Sequence, residues 1–135
     1  MKNNLNFSLV ELEQERAVNI PDESSYLIKT VLKLKQKKLR DLDVENLRIL
    51  IGQNISLNYL IPLAIDKLRE DIMAEGDYFE GDLLQNILSV EKAFWKQNEK
   101  LKKEVKEQVL SNHQYIASFE TDKKFKQILS AFLDS

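Results

Sequence analysis

The sequence predicts an all-α protein, a single-domain bundle of about six to eight helices. Three observations carry that expectation. The 135 residues include only three Gly and two Pro, whereas turn-rich β folds need many of both and helix interiors tolerate few. Apolar residues recur at three- and four-residue spacing through most of the chain, and no segment shows sustained strand alternation between turn residues. Hydrophobic residues make up 43% and charged residues 31%, a globular balance in a chain long enough to bury a core of its own.

The elements follow in order. Ser8 stands three residues before Glu11, a capping-box signal for a short first helix to about Arg16. Asn19-Ile20-Pro21-Asp22 breaks the chain. Asp22 or Ser24 can cap a second helix through about Lys37, with Leu27, Val31 and Leu34 as its stripe, widened by Ile28 and Leu32. Asp43 is the N-cap expected for a third helix, which carries Leu47, Leu50 and Ile51 on one face and ends near Gly52 and Asn54. Ser56 or Asn58 opens a fourth, with Pro62 in or close to its first turn, where a missing N–H costs little. Leu60, Leu63, Ala64, Ile65, Leu68 and Ile72 continue it. Residues 75–81 read as a loop, after which Asp82 caps Leu83–Leu88. A short helix with Phe94 and Trp95 follows, and both aromatics are expected in the core or, alternatively, in a contact. Leu101, Val105, Val109 and Ile116 then recur through a long, lysine-rich helix. Thr121 or Asp122 caps the last helix, with Phe125, Ile128, Leu129 and Phe132 facing inward. Composition shifts to Lys, Glu and Gln near Asn98.

Catalytic chemistry finds few footholds. There is no Cys, hence no thiolate metal site and no disulfide. His113 is the sole histidine, so no His pair can hold a metal, and no motif around any Ser supports a Ser-His-Asp triad. Gly52, Gly76 and Gly81 are too far apart for a phosphate-binding loop. Glu11/Glu15 and Asp66/Glu70 each share a helix face, but carboxylates at that spacing read as solvated surface. The expectation is a protein that is not an enzyme, with no catalytic, cofactor-binding or metal-ligating residue and no cofactor. The opening run lacks the apolar stretch of a signal peptide, and nothing approaches the ~18 apolar residues of a membrane span. A cytoplasmic location without membrane contact is expected.

Net charge is −2, but charge is unevenly distributed. Residues 26–42 are basic and residues 43–90 are acidic. Lys29, Lys33, Lys35, Lys37, Lys38 and Arg40 form a basic run beside Tyr26. It suits either a phosphate-contacting face or the wet face of a helix whose last turn favours cations. Glu75, Asp77, Glu80 and Asp82 crowd around Tyr78 and Phe79. Aromatics ringed by charge serve as anchors in protein interfaces. Alternatively, or in addition, Tyr78 and Phe79 plug the core while Glu80 and Asp82 cap the next helix. The candidate contact surface is therefore Asp71, Glu75, Asp77, Tyr78, Glu80 and Asp82, with Lys33, Lys37 and Arg40 as a second.

An ordered set of motifs resembles a known family. It runs from Ser8-Leu9-Val10-Glu11-Leu12-Glu13 through Pro21, Ser25-Tyr26-Leu27 and Lys38-Leu39. It continues with Asp43-Val44-Glu45-Asn46-Leu47-Arg48, Ile51-Gly52-Gln53 and Leu57-Asn58-Tyr59-Leu60-Ile61-Pro62-Leu63-Ala64. It closes on Glu75-Gly76-Asp77-Tyr78-Phe79, Gly81-Asp82-Leu83-Leu84 and Phe94-Trp95. Together these resemble the immunity proteins of bacterial contact-dependent growth inhibition (CDI) systems over about residues 8–95. Family members often read Phe-Tyr-Pro where this chain has Tyr78-Phe79-Glu80, a departure that alters the loop and adds a charge. The resemblance implies an immunity protein that forms a heterodimer with the C-terminal toxin domain of its cognate effector, often a nuclease, and neutralises it. The candidate contact residues would then be toxin-binding. Residues 98–135 are expected to be a helical extension packing on a domain that spans 1–135. The competing expectation is a helical, nucleic-acid-linked regulator using the Lys29–Arg40 face; the immunity reading expects no direct nucleic-acid contact.

Overall fold

The computed structural model describes residues 2–15 and 25–135. Among them the fold is all-α: α1 (Leu9–Leu12), α2 (Tyr26–Lys35), α3 (Val44–Gly52), α4 (Leu57–Glu70), α5 (Asp82–Leu88), α6 (Lys92–Gln97), α7 (Glu99–Ser111), α8 (His113–Ala117) and α9 (Lys123–Asp134). Two 3-10 turns, Lys2–Asn6 and Leu39–Asp41, flank the first helices. Extended pairing among the described residues is limited to two isolated antiparallel bridges, Ser8 with Lys38 and Glu75 with Glu80.

The caps explain most helix starts. Ser8 and Glu11 complete the expected capping box. Asp43 forms a second one with Asn46, whose side chain reaches back to the Asp43 amide. Asp122 accepts from the Phe125 amide and starts α9. Ser25 caps α2 by accepting from Ile28. The expected caps Asp22 and Ser24, the break at 19–22 and the first helix end at Arg16 lie outside the described residues. Within them α1 stops at Leu12.

Pro62 sits in the second turn of α4, close to the first as expected; its ring nitrogen cannot donate, so the Asn58 carbonyl loses a helical partner at an exposed position. Two local expectations change. Ile72 lies beyond the end of α4 yet stays buried in the turn that follows. The lysine-rich helix breaks at Asn112, whose side-chain amide turns back to donate to the Gln108 carbonyl. That break re-aims Ile116 into the core on a separate short helix.

The centre of the core is α3, α4 and α5 packed on one another. Leu47, Leu50, Ile51, Leu60, Ile61, Ile65, Leu83 and Leu84 are buried there. α7 packs on α4, and α9 packs on α5. Phe125 of α9 is 1% exposed. Phe94, Trp95 and Phe132 form an edge-to-face series with centroids 5.1 and 5.5 Å apart, which places Phe94 and Trp95 in the core. This packing leaves one end of α3 and α5 open to the loop between α4 and α5.

Candidate protein-binding surface

That loop, residues 75–81, folds back on itself. Glu75 and Glu80 pair across it, and the Gly81 amide donates to the Met73 carbonyl at 3.0 Å. Gly81 closes the turn at φ +88°, in the left-handed region that glycine reaches without strain. A short acidic loop of this kind would repel itself and wander unless held, and two carboxylates from the helices hold it.

The first is Asp82, only 2% exposed at the start of α5. The sequence suggests that it caps its own helix. Instead its carboxylate turns back into the loop and accepts from the amides of Gly76 (2.7 Å), Tyr78 (3.0 Å) and Phe79 (3.3 Å). A buried carboxylate needs such donors to offset its lost hydration. The second is Glu45 on α3, which accepts from the Asp77 amide at 2.9 Å. Glu45 also takes a two-point bond from the Arg48 guanidinium, at 2.6 and 2.5 Å. Arg48 Nε lies 3.9 Å from Asp82, so one cation serves both carboxylates. Gly76 fits between them because a Cβ there would sit 2.5 Å from Glu45 Oε1 and 3.1 Å from Asp82.

The guanidinium does a further job. It stacks over the Tyr78 ring, 4.2 Å from the centroid, an attraction of ~1 kcal/mol or less at an exposed site. Tyr78 is nonetheless 71% exposed, and Phe79 beside it 41%. Tyr78 is thus supported from below and presented to solvent, which settles its place against the core-plug alternative. Asp71, Glu75, Asp77 and Glu80, close to the two aromatics in sequence, are also exposed. Asp71 bonds the Met73 amide at 2.9 Å and is approached by the Tyr115 hydroxyl at 3.4 Å. Partial desolvation, then the neighbouring Asp71 and Glu80 charges, push the Tyr115 phenol above its ordinary pKa. Of the six residues picked from sequence, five (Asp71, Glu75, Asp77, Tyr78 and Glu80) are exposed. Asp82 lies inside and shapes the loop.

The bond from Arg48 holds the Glu45 carboxyl below its ordinary 4.5, against the opposing effect of burial and with help from the Asp77 amide. Arg48 is held above its own ordinary value, chiefly by the same bond. A carboxyl depressed in the folded state adds stability above its unfolded pKa, and that contribution is lost as pH falls through the folded one. We therefore expect Glu45→Gln to cost about 1–2 kcal/mol at neutral pH. The deficit should shrink below the ordinary glutamate pKa and vanish once wild-type Glu45 is protonated. Urea titrations at a series of pH values check this, and a deficit independent of pH would refute the clamp.

The second candidate surface is more dispersed. Lys33 is exposed, but Lys37 Nζ bonds Asn46 at 3.1 Å, Arg40 bonds Asn6, and Lys35 pairs with Glu15 at 2.8 Å. Sequence reasoning missed Arg48 as the organiser of the acidic loop. The i, i+3 spacing of Glu45 and Arg48 was a visible signal, but their loop partners lie some thirty positions on.

The all-α scaffold thus pins an acidic, aromatic loop outward, and no His/Cys/Asp/Glu cluster suited to a metal occurs among the described residues. The family model of the CDI immunity proteins matches residues 11–105. The chain belongs to that family and is an immunity protein for CDI toxins. No curated protein and no solved structure matches it. The match contains Glu45, Arg48 and the whole loop; α8 and α9 lie beyond it.

Proposed function

We propose that this protein binds and neutralises the C-terminal toxin domain of its cognate CDI effector, a nuclease, through the face built on residues 75–81. The supporting observation is Tyr78, stacked on Arg48 yet mostly exposed, on a loop whose Glu75, Asp77 and Glu80 are also exposed. Exposing an aromatic costs stability, and fixing it in one pose beforehand lowers the entropy lost on binding. The acidic surround suits a nuclease, whose active-site cleft must be positive to hold phosphates. It would speed encounter and compete for that same charge. An interface of about 800 Å² per partner is feasible for a chain of this size. The toxin meets it in the cytoplasm, and no helix is long and apolar enough to cross a membrane among the described residues.

Co-purification with the toxin domain of the same locus tests this. The expected result is a one-to-one complex in which the toxin no longer cleaves nucleic acid. A toxin that stays free and active in the presence of folded protein would sink the proposal. Direct binding of DNA or RNA that weakens steeply with salt would favour the Lys29–Arg40 face instead.

A further inference from the structure

Beside the loop lies a notch of about 410 Å³ whose two walls come from distant parts of the chain. Phe79 and Glu80 form one wall. Phe119, Glu120 and Asp122, between α8 and α9, form the other, with Phe125 as the floor. The Phe119 ring is braced edge-on by Tyr115, with centroids 5.0 Å apart and planes at 86°. Asp122 is fixed as the cap of α9 by the Phe125 amide at 2.8 Å. The notch is therefore aromatic within and carboxylate at its lip. Lys123, Lys124 and Lys126 follow in sequence but do not line it.

This pairing of surfaces selects one kind of occupant. An apolar side chain would gain nothing from the Glu80 and Glu120 carboxylates, and Asp122 is already engaged by the Phe125 amide. An anion would be repelled. A lysine would gain charge attraction, but its compact ammonium keeps its water tightly. A guanidinium is planar, sheds water more readily, stacks on aromatic faces and bonds carboxylates two at a time. We propose that the notch receives an arginine side chain of the toxin. This deepens the toxin-binding reading and rests on it. Phe119, Glu120 and Asp122 lie beyond the family match, which ends at residue 105. The notch thus joins the loop, which lies within the family match, to a wall that lies beyond it. Such a device distinguishes one toxin from another, because a toxin without the arginine leaves the pocket's carboxylates uncompensated.

The test compares three variants by titration against the toxin domain of the same locus. Glu120→Lys reverses charge at the lip, Glu120→Gln removes it, and Glu107→Lys makes the same reversal on α7 away from the notch. Both sites are exposed, so the melting temperatures of all three variants should match wild type. We expect Glu120→Lys to raise Kd at least tenfold, Glu120→Gln severalfold, and Glu107→Lys less than twofold. An alanine scan of the toxin's arginines should then find one whose loss adds nothing further to Glu120→Gln. Equal effects of the two reversals, or strictly additive losses for every arginine, would overturn the pocket. If Glu120→Lys is silent while reversals in the 75–81 loop weaken binding, the pocket falls and the toxin-binding face stands. If both are silent, the toxin-binding face falls with it.

Discussion

Asp82→Ala should melt about 10 °C below wild type and lose the ordered loop. The carboxylate is 2% exposed and is the acceptor for three backbone amides, those of Gly76, Tyr78 and Phe79. Removing it strands partly buried donors, at about 1–3 kcal/mol where water cannot reach them. It also leaves Arg48 with one carboxylate partner instead of two. A total of about 3 kcal/mol corresponds to roughly 10 °C for a domain of this size. Asp82→Asn keeps an acceptor oxygen but turns an amide donor toward other donors, so it should fall between. Calorimetry checks the temperatures, and Tyr78 fluorescence quenching checks the loop. A melt within about 2 °C of wild type would mean that water or loop movement replaces the carboxylate and that the loop is not pinned as described.

The second large effect is on binding. Asp77→Lys with Glu80→Lys should weaken the toxin complex about a hundredfold while leaving the melt almost unchanged. Both side chains are exposed, and the Asp77 contact to Glu45 uses its backbone amide, which the substitution preserves. Surface changes away from caps and buried networks usually fall within about 0.5 kcal/mol of stability. Facing a positive cleft, however, the two reversals turn attraction into like-charge repulsion, which costs several kcal/mol when desolvated. Most of the early loss should appear in the association rate and should diminish as salt rises. Titration and stopped-flow mixing measure both. An unchanged Kd in the folded double variant would move the interface away from this loop.

The contrast between these two variants shows what sequence could and could not disclose. Caps and periodicity are local, so Ser8, Asp43 and Asp122 located their helices, and Leu47, Leu50 and Ile51 located a core face. The exposure of Glu75, Asp77 and Glu80 was legible from their polarity and from the flanking Gly76 and Gly81. The reversal of Asp82 was not. A carboxylate at a helix start is equally suited to its own helix and to a loop that returns over it, and only packing decides. Here Glu45 and Arg48 on α3 bring the Gly76–Phe79 amides within reach, a contact across more than thirty residues. Tyr78 carried the same ambiguity, since an aromatic between charges reads as plug or as anchor until its ring is seen lying on Arg48. The pocket at Phe79 and Phe119 was invisible, because neither wall is distinctive alone. The break at Asn112, hidden in an unbroken helical pattern, is what turns α8 and α9 toward the loop.

Hydroxyl-radical footprinting of the complex decides between the acidic loop and the basic face. Tyr78 and Tyr26 are the two most exposed aromatics among the described residues, at 71% and 85%, and they report on opposite candidates. Tyr78 stands on the acidic loop, and Tyr26 opens the helix that carries Lys29, Lys33 and Lys35. With the toxin domain bound, Tyr78 and Phe79 should be strongly protected and oxidation of Tyr26 unchanged. Protection of Tyr26 with Tyr78 still fully reactive would instead place the toxin on the basic face.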